Sequence, residues 1–111
     1  MTAIDCDADS APCDCLEDPL LALLGRKYAL EVLYVISAHG TVRFGTVESH
    51  LPDASTSTLS SRLEELVEAG LIARHRYDEI PPRVEYELTD DGHELGERLT
   101  PVVEWIATRD T

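Results

Sequence analysis

Positive charge is what this chain most lacks. Only Lys27 among its nine basic residues is lysine, and 22 acidic residues take the net charge to −13. Acid enrichment with scarce lysine predicts a halophilic protein, built for concentrated cytoplasmic salt that screens charges within about 3 Å at 1 M. An acidic N-terminal tail explains only part of this, because residues 20–111 still hold 16 acids against 9 bases. No apolar run approaches bilayer length and the N-terminus is acidic, which excludes a helical membrane span and a secretory signal and leaves the cytoplasm as the expected location. The three cysteines, Cys6, Cys13 and Cys15, are odd in number and clustered, unlike a secreted disulfide framework. Repeats and low-complexity tracts are missing too. No nucleophile–base pair, phosphate-binding loop or paired carboxylate stands in a recognisable motif, so no enzyme is expected, no cofactor is expected, and no metal site is assigned.

What remains, at 111 residues, is one domain with a single modest core that subunit pairing would help. Residues 1–14, "MTAIDCDADSAPCD", carry many charges and few bulky apolar residues and predict a mobile acidic arm; residues 15–111 are the folded domain. Leu20, Leu21, Leu23 and Leu24 form a short helix opened by Pro19 and closed at Gly25. A second helix runs from Lys27 to Ala38, stopped by "AHG", and Val42 with its neighbours is a short extended piece. "FGTVESHLP" is a helical turn or two ending at Pro52. In "STSTLSSRLEELVEAG", Leu59, Leu63, Leu66 and Val67 share one side of a helix and Gly70 stands at its C-terminus.

"LIARHRY" then alternates as a strand, with Leu71, Ala73, His75 and Tyr77 on one face and Ile72, Arg74 and Arg76 on the other. "DEIPP" turns it back into a second strand, where Val84, Tyr86 and Leu88 alternate with Arg83, Glu85 and Glu87. Thr89 caps a last helix from Asp90 to about Thr108, with Asp90 and Asp91 favoured in its first turn. Helices, a β-hairpin and a final helix make an α+β, mainly α chain in the winged helix-turn-helix order.

Two surfaces carry chemistry. The first half of the "STSTLSSRLEELVE" helix is hydroxylic and acid-free, whereas its second half holds Glu64, Glu65 and Glu68. Macrodipole stabilisation alone would favour acids at the N-terminus, so an approaching polyanion accounts for their absence, with an ordinary hydroxyl-rich cap as the bland alternative. The arginines follow the same logic. Arg43, Arg62, Arg74, Arg76 and Arg83 fall on elements that would face double-stranded DNA, with strand arginines paired to Glu85 and Glu87 as the bland alternative. Leu95, Leu99, Val102 and Ile106, spaced by four, three and four, and Trp105 make the last helix more apolar than a small winged domain needs. With the leucine-rich first helix they suggest N- and C-terminal dimerisation helices, which would set two recognition helices about one DNA turn apart in a homodimer. Gly92 and Gly96 weaken that helix unless something packs closely against them, and Pro101 should offset it.

The chain resembles the HxlR-type branch of winged-helix transcriptional regulators, relatives of the MarR-like regulators. The resemblance runs from about Cys15 to Trp105 on "LLGRKYALEVL", on Arg43-Phe44 with Val47, Leu51-Pro52 and Ser55, on "LSSRLEELVEAGLI", and above all on "IPPRVEYELTDDG". It implies a dimeric DNA-binding repressor or activator whose recognition helix presents Thr56, Ser57, Thr58, Ser60, Ser61 and Arg62 behind Ser55. It also implies a thiol switch at Cys15, ten residues before Gly25, although Leu16, Arg26 and Tyr28 depart from the family's usual proline, glycine and tryptophan. Chemically, a helix N-terminus lowers a thiol pKa while Asp14 and Glu17 oppose the thiolate, so redox sensing and an inert cysteine both stand. Soft-metal binding by the cysteines would need a further ligand such as His39, His50, His75 or His93. The expected function is therefore sequence-specific DNA-binding transcription regulation. The alternative is a winged-helix protein-interaction module without DNA binding, which the acidity would permit.

Overall fold

The computed structural model describes residues 18–109. Cys6, Cys13, Cys15 and the expected arm at residues 1–14 lie outside the described residues. Helix α1 (Pro19–Leu24) starts where Asp18 accepts a hydrogen bond from the Leu20 amide, with proline at a first-turn position that needs no donor. Helix α2 (Ala29–His39) begins two residues later than the sequence suggests, because Tyr28 sits at its N-cap with a left-handed φ of 74°. Strand β1 (Thr41–Val42) leads into α3 (Phe44–His50) and then α4 (Thr56–Glu68). Ser55 caps α4 by accepting from the Thr58 amide. At the other end the Leu71 amide donates to the Leu66 carbonyl across Gly70, whose φ of 80° suits a residue without Cβ.

Strands β2 (Ile72–Tyr77) and β3 (Arg83–Leu88) form the hairpin, and the sheet order is β1-β3-β2, antiparallel throughout. The extended piece at Val42 is therefore the third strand of the wing, pairing with Tyr86. Helix α5 (Asp90–Thr108) follows at once. Thr89 caps it through the Gly92 amide at 3.1 Å and donates its hydroxyl to the Gly70 carbonyl at 2.6 Å, tying the end of α4 to the start of α5.

One core holds these pieces together. Leu33 and Ile36 of α2, Val47 of α3, Leu59, Leu63 and Leu66 of α4, and Ile72 of β2 are fully or almost fully buried, and Leu88 and Leu99 close it. Each fully buried leucine or isoleucine contributes roughly 1.5–3 kcal/mol of transfer free energy. Close packing at Gly92 and Gly96 is as expected: a Cβ at Gly92 would lie 2.0 Å from the Leu71 carbonyl oxygen, and one at Gly96 would lie 3.0 Å from Ser37 Oγ. No described helix is long and apolar enough to cross a membrane.

Candidate nucleic-acid interface

Helix α4 buries Leu59, Leu63 and Leu66 and turns the opposite side to solvent, where Ser57, Ser60, Ser61, Glu64 and Glu68 are exposed. The hydroxyl-rich tip divides by task. Ser55 Oγ serves the cap and donates to Thr58 Oγ1 at 2.8 Å, so both hydroxyls are used in shaping the helix start. Ser57 Oγ sits 3.3 Å from Ser55 Oγ. Thr56 Oγ1 donates to Glu48 Oε2 of α3 at 3.0 Å. The carboxylate missing from the first turn of α4 is thus supplied from α3, so the macrodipole is partly complemented without an acid in the α4 sequence. Ser60 and Ser61 project outward one turn on, and neither is engaged in a cap or an ion pair among the described residues.

The pleat of the hairpin decides where its charges point. Directly paired residues in an antiparallel ladder share a face. Ile72, Arg74 and Arg76 oppose Leu88, Tyr86 and Val84, and the burial of Ile72 and Leu88 marks this face as the one turned towards the helices. Ala73, His75 and Tyr77 oppose Glu87, Glu85 and Arg83 on the other face. Both β3 carboxylates are therefore on the outer face, where Glu87 Oε1 meets His75 Nε2 at 2.6 Å. Arg74 lies beside the exposed side of α4, its Nη2 3.9 Å from Glu64 Oε1. Arg76 stands two residues further along the same face and pairs with no carboxylate among the described residues. Arg43, at the N-cap of α3, is likewise exposed and in no ion pair among the described residues.

Two expected members of the cationic surface are withdrawn from it. Arg62 points along the flank of α4: its Nε donates to the Lys27 carbonyl at 3.0 Å, its Nη1 pairs with Glu65, and its side chain is only 15% exposed. Arg26 joins the same carboxylate at 3.6 Å. Arg62 is thus an anchor holding α4 to the start of α2, at 35 residues' separation in the chain. Arg83 falls on the outer face because its register position is odd relative to Arg74 and Arg76. There its guanidinium carbon lies 4.3 Å from the Tyr77 ring centroid, with Glu79 at 3.3 Å and Glu85 at 3.4 Å. Its solvent-shielded Nε meets Glu85 as an ion pair without hydrogen-bond geometry. Arg62, Arg74, Arg76 and Arg83 do not make one continuous ledge; Ser57, Ser60, Ser61, Arg74 and Arg76 do share a side. Sequence reasoning missed Glu48, and nothing in the chain around it signals that it faces Thr56.

A second surface is apolar. Val102, Trp105 and Ile106 of α5 and Leu21 of α1 are largely exposed, Trp105 to 64%. An apolar cleft of about 420 Å³ runs between α2, the end of α3 and α5, lined by Leu30, Tyr34, Leu51, Leu99, Val102 and Ile106 among others.

A three-stranded wing beside two consecutive short helices, with a hydroxyl-bearing second helix turned outward, defines a winged helix-turn-helix protein. The family model described as HxlR-like helix-turn-helix matches residues 23–110. The chain belongs to that family and is a helix-turn-helix transcriptional regulator, not an enzyme. It is 36% identical over 96 residues to the HTH-type transcriptional regulator YvaP of Bacillus subtilis, covering 86% of this chain and 87% of YvaP. Among solved structures, the reduced form of the transcriptional regulator YodB from B. subtilis superposes with a TM-score of 0.70 at 27% identity, over 86% of this chain and 91% of YodB. The redox regulator HypR in its reduced form gives 0.71 at 30% identity, over 78% of this chain and 84% of HypR.

Proposed function

We propose that the chain binds double-stranded DNA as a homodimer, setting the exposed side of α4 against the major groove and the inner face of the wing against the sugar–phosphate backbone. The observation that carries this reading is the sorting of charge by the pleat: Arg74 and Arg76 on the α4 side, Glu85 and Glu87 on the other. In this arrangement Ser57, Ser60 and Ser61 meet base edges or phosphates, Arg76 and Arg43 meet phosphates, and Arg74 exchanges its weak pair with Glu64 for a phosphate oxygen. Ser55, Thr56 and Thr58 act by holding the helix start in shape. The apolar residues of α1 and the end of α5 supply the pairing surface between subunits, and Trp105 is its largest member.

Counterion release contributes little in concentrated salt, so contacts to base edges carry more of the affinity than they would in a basic regulator. The test is a salt-graded gel shift on the promoter of the chain's own gene. A saturable complex supports the reading, and none at any salt favours the protein-interaction module.

Cys15 is the proposed effector residue, a thiol whose oxidation alters DNA affinity. The likeness to HypR, named a redox regulator, supports it, as does the likeness to YodB. An oxidant titration of DNA binding should separate the parent from Cys15→Ser. Identical responses would remove the switch while leaving DNA binding in place.

A further inference from the structure

The apolar cleft between α2, the end of α3 and α5 has a volume of about 420 Å³, inside the roughly 300–1,000 Å³ range of small-molecule sites. Its walls are aliphatic, with Leu30 and Val35 on α2, Leu51 after α3, and Leu99, Val102 and Ile106 on α5. No lysine or arginine lines it. Glu31 is the one acidic residue of the lining, and it is exposed and pairs with no base among the described residues. Tyr34 lines the cleft one turn further along the same side of α2, half-buried, its hydroxyl in no hydrogen bond among the described residues. His50 adds an imidazole at the end of α3 whose Nδ1 lies 2.9 Å from the Thr46 carbonyl. A carbonyl only accepts, so Nδ1 of the neutral ring carries the proton and Nε2 is left as an acceptor. The polar side chains of the cleft therefore offer acceptors, and the one donor among them, the Tyr34 hydroxyl, can also accept.

We propose that this cleft binds a small amphiphilic organic cation, an ammonium group carried on an aromatic or aliphatic body. The leucine, valine and isoleucine walls cover the body, and burying it away from water drives binding. The ammonium group only donates, so it matches the Glu31 carboxylate, while Tyr34 supplies a hydroxyl oxygen and a ring that attracts cations. An anionic ligand of the same shape would find no base in the lining and would be repelled by Glu31. The cleft is a separate concavity from the surface assigned to subunit pairing, because Trp105 and the exposed leucines of α1 lie outside its lining and only Val102 and Ile106 are shared. It also stands apart from the DNA reading, since none of its residues belongs to the face assigned to DNA.

The experiment titrates three probes with one common body, phenylbutylamine, phenylbutanol and phenylbutyrate, into the full chain by calorimetry. Salt at about 1 M screens diffuse attraction to the acidic surface. One amine per chain is expected, bound at least about tenfold more tightly than the alcohol, with the butyrate weakest. Glu31→Gln should abolish the preference for the amine and keep the alcohol bound as before, which also shows that the cleft is intact. Glu104→Gln, an exposed acid of α5 outside the lining, should change nothing. The particle mass of the parent in light scattering should be the same with and without the amine. Absence of stoichiometric amine binding, butyrate bound as tightly as the amine, or a preference that survives Glu31→Gln overturns the site. Dissociation of the parent on adding the amine would assign the cleft to a second copy of the chain and overturn it equally.

Discussion

At the residue scale, the side chains that matter most divide by what they touch rather than by type. Gly92 is the tightest of the glycine positions, with Leu71 O, Leu71 C and a Leu88 methyl all within 3.1 Å of where a Cβ would stand. Backbone cannot yield as a flexible side-chain end does, so Gly92→Ala should cost about 3 kcal/mol in a denaturant titration, at the upper end of overpacking effects. Gly96→Ala meets the movable Ser37 hydroxyl and should cost clearly less. Arg62 looks like a DNA contact from its place in the α4 sequence, and a change in base preference is the natural expectation for its removal. With its guanidinium committed to the Lys27 carbonyl and Glu65, Arg62→Ala should instead lower stability by about 1–3 kcal/mol and weaken DNA binding without altering preference among sites. Thermal melts and a competition with mutated operators distinguish the two. Helical periodicity tells which residues face the core, but it does not tell whether a long flanking arginine turns back to an anchor 35 residues away.

At the element scale, most of the fold was legible. Helix α4, both hairpin strands and α5 declare themselves through apolar spacing, a hydroxylic cap and a Gly or Pro at the boundary. Three features were not. Strand β1 is expected as an extended piece at Val42, but its place as the third strand of the sheet is not legible, because it is only two residues long and its partner β3 lies far along the chain. Tyr28 adopts a conformation that its type rarely takes, so nothing in the sequence marks the delayed start of α2. The use of Thr56 to borrow a carboxylate from α3 depends on helix packing that has no one-dimensional trace. Thr89 joins two elements with one hydroxyl, capping α5 and holding Gly70 beyond α4. Thr89→Ala should therefore destabilise by about 1–2 kcal/mol, the upper part of the capping range, while Thr89→Ser should restore most of it. A loss of only a few tenths would mean that the Gly70 bond contributes nothing.

At the scale of the whole molecule, the difficulty is how a chain of net charge −13 approaches a polyanion. The structure relieves it by geometry more than by composition. The β3 carboxylates Glu85 and Glu87 are on the outer face of the wing, Arg83 is neutralised there, and the inner face beside α4 keeps Arg74 and Arg76. This sorting follows from the alternation of β3 and could be read in part from the sequence, where Arg83, Glu85 and Glu87 share a parity. What could not be read was which parity faces the helices, since that depends on Ile72 and Leu88 entering the common core.

The most direct measurement compares DNA affinity across a salt series for the parent, Arg76→Ala and Arg83→Ala. The account predicts that Arg76→Ala weakens binding to all sequences alike and reduces the salt slope by about one, while Arg83→Ala leaves both nearly unchanged. Equal losses from the two substitutions, or a larger loss from Arg83→Ala, would contradict the inner face of the wing as the side that meets DNA.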